Sequence, residues 1–251
     1  MEGSAIFEIF EGLPRQGPGS NESTERAFRL IPSVPPGARI LDIGCGVGMQ
    51  TIHLAELCRT CNIIAVDIYQ PYLDVLMENA TKKGVADRIT TVCTSMDDLH
   101  FDQEEFDIIW AEGSIFVIGF EKGLEYWKQF LKNDGYMALT EAAWFTDSPS
   151  DEVVHFWDLC YPDIKSIPDT EKVIRAAGYN VIDRFRLHAS EWENDFYLPL
   201  EKRLDSIGRN LKGNSEGESI IEFTRKEIAI FRKHPDEYGY VFFVMQKNTD
   251  K

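Results

Sequence analysis

The stretch ARILDIGCGVGMQT, residues 38–51, constrains this chain more than any other. Ile40, Leu41 and Ile43 form the short apolar run of a strand covered on both faces. Gly44, Gly46 and Gly48 follow, where a missing Cβ lets the backbone turn sharply and a ligand approach closely. Residues 50–57 then show helical apolar spacing. Strand, turn and helix therefore run in that order, and the helix N-terminus offers its free N–H groups to the ligand space.

Three details narrow the ligand. The spacing is G-x-G-x-G with Met49 next, so the dinucleotide pattern G-x-G-x-x-G is not met. Asp42 stands two residues before the first glycine, where a carboxylate repels a pyrophosphate but suits an ammonium group. A second apolar strand, residues 62–66, ends in Asp67, close to the ~20-residue spacing at which an acid accepts hydrogen bonds from ribose hydroxyls. These features describe a ligand with a ribose, a positive amino-acid end and no phosphate, and S-adenosylmethionine fits.

LDIGCGVG followed by VDIY resembles the class I S-adenosylmethionine-dependent methyltransferases, in particular their small-molecule group with its E/DxGxGxG first motif. The likeness runs through residues 40–187. It implies a Rossmann-like seven-stranded sheet, mostly parallel with the last strand antiparallel between the fifth and sixth, flanked by helices. It also implies cofactor contacts at Asp42, Gly44, Cys45, Gly46 and Gly48, at Asp67 and Ile68, at Ser95, Met96 and Asp97, and at Glu112. Where the family places an acid on the adenine amino group this chain has Ser95, and Asp97 is expected to supply the acid instead.

The totals bound the partners. A net charge of −16 opposes approach to nucleic acid or an anionic membrane. No apolar run nears the ~18 residues of a spanning helix. Glu2, Glu8 and Glu11 stand where a signal peptide carries basic and apolar segments, so a cytoplasmic protein is expected. The N-P-P-Y signature of nucleic-acid amino methylation is absent after the fourth strand, where Ala111-Glu-Gly-Ser114 stands. Five cysteines do not suggest a disulfide scaffold, and Cys58-Arg-Thr-Cys61 is read as two ordinary thiols at a helix end, with no metal site.

In order, residues 1–36 form an N-terminal arm, with a short helix over 5–11, an irregular 14–19, and a helix from a Ser20–Ser23 cap through Leu30. In the family such an arm closes over the cofactor. Residues 37–251 form the methyltransferase domain. Further strands are expected at 89–94, 106–111, 136–142, 180–187 and 240–245, and helices from Pro71 to Gly84 and at 121–131 and 168–177. Insertions at about 144–167 and 189–236 are expected to form a substrate lid, the alternative being a homodimer interface. The first holds a helix at 151–159; the second holds two, striped by Leu200, Leu204, Ile207 and Leu211 and by Ile220, Phe223, Ile228 and Phe231.

Methyl transfer is an in-line displacement with a neutral leaving group, so positioning does much of the work and a base serves only an acceptor that arrives protonated. Glu112 and Glu141 are carboxylates in apolar runs, and each requires a partner or a raised pKa. With His155 they are the candidate catalytic residues. His188, Tyr161, Trp192 and Tyr197 are further groups of the expected lid, and its rings suit a small-molecule acceptor, apolar or amine-bearing. Two other readings compete. One is a nicotinamide-dinucleotide-binding oxidoreductase, disfavoured by Met49 and Asp42. The other is a non-catalytic S-adenosylmethionine-binding protein, which no residue excludes.

Overall fold

The computed structural model describes residues 5–248. Glu2 and the first residues of the expected arm lie outside them. The chain builds one sheet from β1 (Arg39–Ile43), β2 (Asn62–Asp67), β3 (Ile89–Cys93), β4 (Phe106–Ala111), β5 (Leu131–Trp144), β6 (Lys165–Ser166), β7 (Tyr179–Arg186) and β8 (Tyr238–Lys247). The order is β3-β2-β1-β4-β5-β8-β7, and β1 to β5 run parallel. As expected, β8 enters antiparallel between β5 and β7. The two-residue β6 beside the end of β5 is an addition to the seven strands foreseen.

Apolar side chains on both faces explain the unbroken hydrophobic runs. One face carries α2 (Asn21–Arg29), α3 (Met49–Leu57) and α4 (Gln70–Lys83), with Ala27, Leu54 and Leu73 packed on Ile40, Trp110 and Phe242. The other carries α5 (Phe120–Trp127) and α7 (Ile167–Ala176), with Leu124, Trp127 and Ile174 against Leu41, Ile109 and Phe243. Ser20 caps α2 by accepting from the Ser23 N–H at 3.1 Å, a contact that stabilises a helix by about 1 kcal/mol. Gly84 ends α4 in the left-handed conformation.

The helix foreseen over 121–131 is shorter. α5 stops at Trp127, a 3₁₀ turn spans Lys128–Phe130, and Leu131 already pairs with Phe106. The foreseen turn at 133–135 survives as a bulge inside β5, with Asp134 at φ 59°. Between two paired positions, β4 advances from Phe106 to Ile108 while β5 advances from Leu131 to Tyr136.

A third cluster lies beyond the sheet edge. It joins α1 (Ala5–Phe10), α6 (Asp151–Cys160), α8 (Ala189–Trp192), α9 (Leu198–Ile207) and α10 (Ser215–Lys233) through Ile9, Leu13, Phe156, Trp192, Leu204 and Phe231. A π-helical turn, Glu193–Tyr197, fuses α8 to α9. The Arg203 guanidinium donates to the Glu8 carbonyl at 2.7 Å, so the arm and the second insertion are tied together. Among the described residues no helix is long and apolar enough to cross a membrane.

Cys58 and Cys61 are not two free thiols: they form a disulfide, which corrects the reading from sequence. The chain leaves α3 at Cys58 and turns back through a Cys61 N–H to Cys58 carbonyl bond, setting the two Cα atoms 5.4 Å apart, within bonding reach. Cys45, Cys93 and Cys160 stay free. Thiol titration of the denatured chain should therefore find three reactive groups without reductant and all five cysteines after reduction. Five without reductant would contradict the pairing.

Candidate functional site

β1 pairs with β2 on one side and β4 on the other, so the strand order reverses there and a crevice opens at the carboxyl ends. A cavity of about 580 Å³ fills it, within the range of small-molecule sites. Its wall comes from the glycine turn, the ends of β2, β3 and β4, α1, and the loop of residues 15–18.

The glycines divide their work. Gly44, Cys45 and Gly46 line the cavity, but Gly48 does not. Gly48 sits at φ 79°, and a Cβ on it would stand 2.2 Å from Leu76 Cγ, so it serves the packing of α3 on α4. A Cβ on Gly44 would stand 2.4 Å from the Ser114 Cβ, whose hydroxyl donates to the Ile43 carbonyl at 2.7 Å. Cys45 is buried, and burial with Asp42 and Asp67 nearby pushes its thiol pKa up, so it stays protonated.

Asp67 faces the cavity at the end of β2, with Ile68 exposed beside it. Its carboxylate accepts from the Gly46 N–H at 2.9 Å and the Tyr69 N–H at 3.0 Å, while burial raises its pKa. Ser95, Met96 and Asp97 follow β3 along the same wall. The Ser95 hydroxyl donates to Asp97 at 2.5 Å, which with Lys122 holds that carboxyl below its usual range. Trp127 donates its indole N–H to the Met96 carbonyl at 2.9 Å and so fixes that turn.

Asp42 was expected beside a ligand ammonium. It points inward instead, fully buried and off the cavity wall. It accepts from the Thr51 hydroxyl at 2.5 Å and lies 3.5 Å from the Gln50 amide, tying the start of α3 back to β1. Burial pushes its pKa up to about 7, with Glu112 and Asp67 adding repulsion against the Thr51 bond.

Glu112 reaches the wall, yet its carboxylate is fully engaged. Trp110 donates at 2.9 Å and Thr24 at 2.7 Å to one oxygen, and Arg15 donates at 3.1 Å to the other. The Arg15 and Glu112 side chains are only 7% and 4% exposed. This is a tie between the 15–18 loop, α2 and the end of β4. Glu141 is buried off the cavity, with its pKa pushed up to about 8 by burial despite Tyr161 and Lys165 nearby. His155 lies exposed on α6, away from the cavity. His188 is an N-cap of α8, accepting from the Ser190 N–H. Tyr161 stands behind the wall, its ring 6.1 Å from that of Phe116, while Trp192 and Tyr197 pack inside the third cluster.

Arg15 and Gln16 were missed, because the Pro/Gly-rich loop that holds them shows no periodicity. Gln16 Oε1 accepts from the Val47 N–H at 2.9 Å, and a Cβ on Gly46 would stand 2.5 Å from that oxygen. The loop therefore lies directly on the glycine turn.

The wall suits a ribose-bearing cation. Asp67 stands where a diol can donate to it, and Ser95, Met96 and Asp97 offer polar edges for a purine. A pyrophosphate meets three acids, Asp67, Asp97 and Glu112, and one cation, Arg15, already paired. Among the described residues no cluster of His, Cys, Asp and Glu is placed to hold a metal.

Comparison with known proteins agrees with this geometry. Residues 40–135 match the family model described as a methyltransferase domain. An O-methyltransferase of Penicillium expansum is 24% identical over 91% of this chain and 78% of its own length. Phosphoethanolamine N-methyltransferase 3 of Arabidopsis thaliana is 20% identical over 92% of this chain, which spans only 46% of that protein. The crystal structure of an S-adenosylmethionine-dependent methyltransferase from Thiobacillus denitrificans, in complex with S-adenosylhomocysteine, superposes with TM-score 0.83 at 19% identity, covering 99% of this chain and all of that one. It shares the fold.

Asp42 gives the site a pH signature. Its carboxyl ionises near pH 4 in the unfolded chain and only near 7 in the folded one. The unfolded state thus binds fewer protons between those values, and stability falls as pH rises through the window, by up to about 4 kcal/mol. Asp42→Asn removes this loss. Raising the pH from about 5 to about 8 should lower the wild-type Tm by at least ~5 °C relative to the variant. Parallel Tm profiles would refute the assignment.

Proposed function

We infer that this chain, whose fold is that of the class I S-adenosylmethionine-dependent methyltransferases, moves a methyl group from S-adenosylmethionine to a small-molecule acceptor. The observation that carries the reading is Asp67 beside the glycine turn, facing a cavity whose acids outnumber its cations. In this reading the Asp67 carboxylate receives the ribose hydroxyls, and Gly44, Cys45 and Gly46 let the methionine portion lie against the turn. Ser95, Met96 and Asp97 take the adenine edge. The bound cofactor supplies an electrophilic methyl on a sulfonium with a neutral leaving group.

The chain's own part is placement and exclusion of water. Phe7 stacks on Tyr69 at 4.4 Å, and the 15–18 loop is latched by Glu112, so α1 and the arm roof the cavity. Water kept from the reacting carbon cannot compete for it. Glu112 is no base for the acceptor, because Thr24, Trp110 and Arg15 engage its carboxylate, and Asp67 is taken by the ribose. The acceptor proton therefore leaves to solvent. The arm roofs the acceptor side of the cavity, and the two insertions stand behind it, packed on α1 through Ile9, Phe156 and Leu204 and tied to it by Arg203.

Calorimetric titration with S-adenosylmethionine and S-adenosylhomocysteine tests the cofactor. Wild type should bind both, and Asp67→Ala should weaken binding by about 100-fold, roughly 2.7 kcal/mol for two ribose hydrogen bonds to a carboxylate. A folded wild type that binds neither would overturn the reading.

A further inference from the structure

We propose that the methyl acceptor is an electrically neutral, largely apolar small molecule, held by α1 and the turn of residues 115–118, and that anionic acceptors are refused. The inference rests on the methyltransferase reading and deepens it.

The first observation is where this chain leaves apolar surface uncovered. Eight large hydrophobic side chains among the described residues are exposed, and Ile6, Ile68, Phe116 and Val117 all line this one cavity. Ile68 adjoins Asp67 and belongs with the cofactor. Ile6 is 44%, Phe116 40% and Val117 64% exposed, and Phe7, Phe10 and Ile118 continue the wall half-buried. Exposed apolar side chains scattered singly carry no message, but a group gathered on one cavity marks a binding surface.

The second observation is charge. Arg15 is the one cation in the wall, and its guanidinium already faces Glu112 at 3.1 Å and Asn21 at 3.3 Å. A phosphate or carboxylate entering there finds no free cation and meets the field of Asp67, Asp97 and Glu112. An unpaired charge taken out of water is strongly penalised. A cationic acceptor finds no open carboxylate either. Asp67 is taken by the cofactor ribose in this reading, Glu112 is held by Thr24, Trp110 and Arg15, and Asp97 is engaged by Ser95 and Lys122. What remains is a surface for a neutral molecule.

The test uses the protein saturated with S-adenosylhomocysteine and three small para-substituted phenols whose side chains are neutral, cationic and anionic: 4-ethylphenol, tyramine and 4-hydroxyphenylacetate. Each displaces the neutral dye Nile red, and phosphoethanolamine serves as a fourth competitor. We expect 4-ethylphenol to bind at least about tenfold more tightly than the charged phenols, and phosphoethanolamine not to compete. Val117→Asp, at an exposed position, should weaken 4-ethylphenol by about tenfold while leaving S-adenosylhomocysteine affinity within about twofold. Tighter binding of either charged phenol, displacement by phosphoethanolamine, or indifference to Val117→Asp would overturn the proposal. Failure of wild type to bind S-adenosylhomocysteine would instead remove the reading beneath it.

Discussion

A single carboxylate holds the two ends of this molecule's site together. Glu112, at the end of β4, takes Arg15 from the arm, Thr24 from α2 and the Trp110 indole from its own strand. Removing one partner of such a buried pair leaves the other charge uncompensated, a loss of about 3–5 kcal/mol. Within the arm, α2 packs on the sheet through Ala27, but the stretch before it has few anchors. Gln16 on Val47 and the α1 contacts with α9 and α10 complete its seating. The roof of the cavity therefore depends on an ion pair shielded from solvent, which salt screens little.

That pair sits in an acidic neighbourhood. Glu112 and Asp67 lie close enough to Asp42 to raise its cost of ionisation, on top of the larger cost of its burial in the core. An apolar site of the same shape would be easier to fold. The concentration of negative charge is comprehensible if the occupant is a cation, whose arrival offsets the repulsion the empty site bears. Fold and ligand preference are thus linked through the field of three side chains rather than through any one contact.

Much of this was legible in the sequence, for identifiable reasons. Strand and helix periodicities placed the long elements within a few residues, because both faces of the parallel sheet are covered and the apolar runs are unbroken. The requirement that a buried carboxylate find a partner or a raised pKa was also readable, and the two glutamates met it differently. Glu112 found donors, while Glu141 found a neutral form with its pKa near 8. What could not be read was tertiary. Asp42 faces inward, where Thr51 in the first turn of α3 donates to it. Arg15 and Gln16 sit in an aperiodic loop, and the Cys58–Cys61 bond depends on how the chain turns after α3. Spacing along a chain fixes faces of elements, and these contacts are made between elements and in the loops that join them.

The Gln16 side chain has a consequence of its own. Its amide oxygen occupies the Val47 N–H on the glycine turn. Any ligand oxygen that takes this donor must first evict Gln16, so arrival of the ligand is an exchange rather than an addition. The same loop carries Arg15, and α1 before it is fastened to the second insertion. The glycine turn, the roof and the helices behind it are thus joined through one short loop.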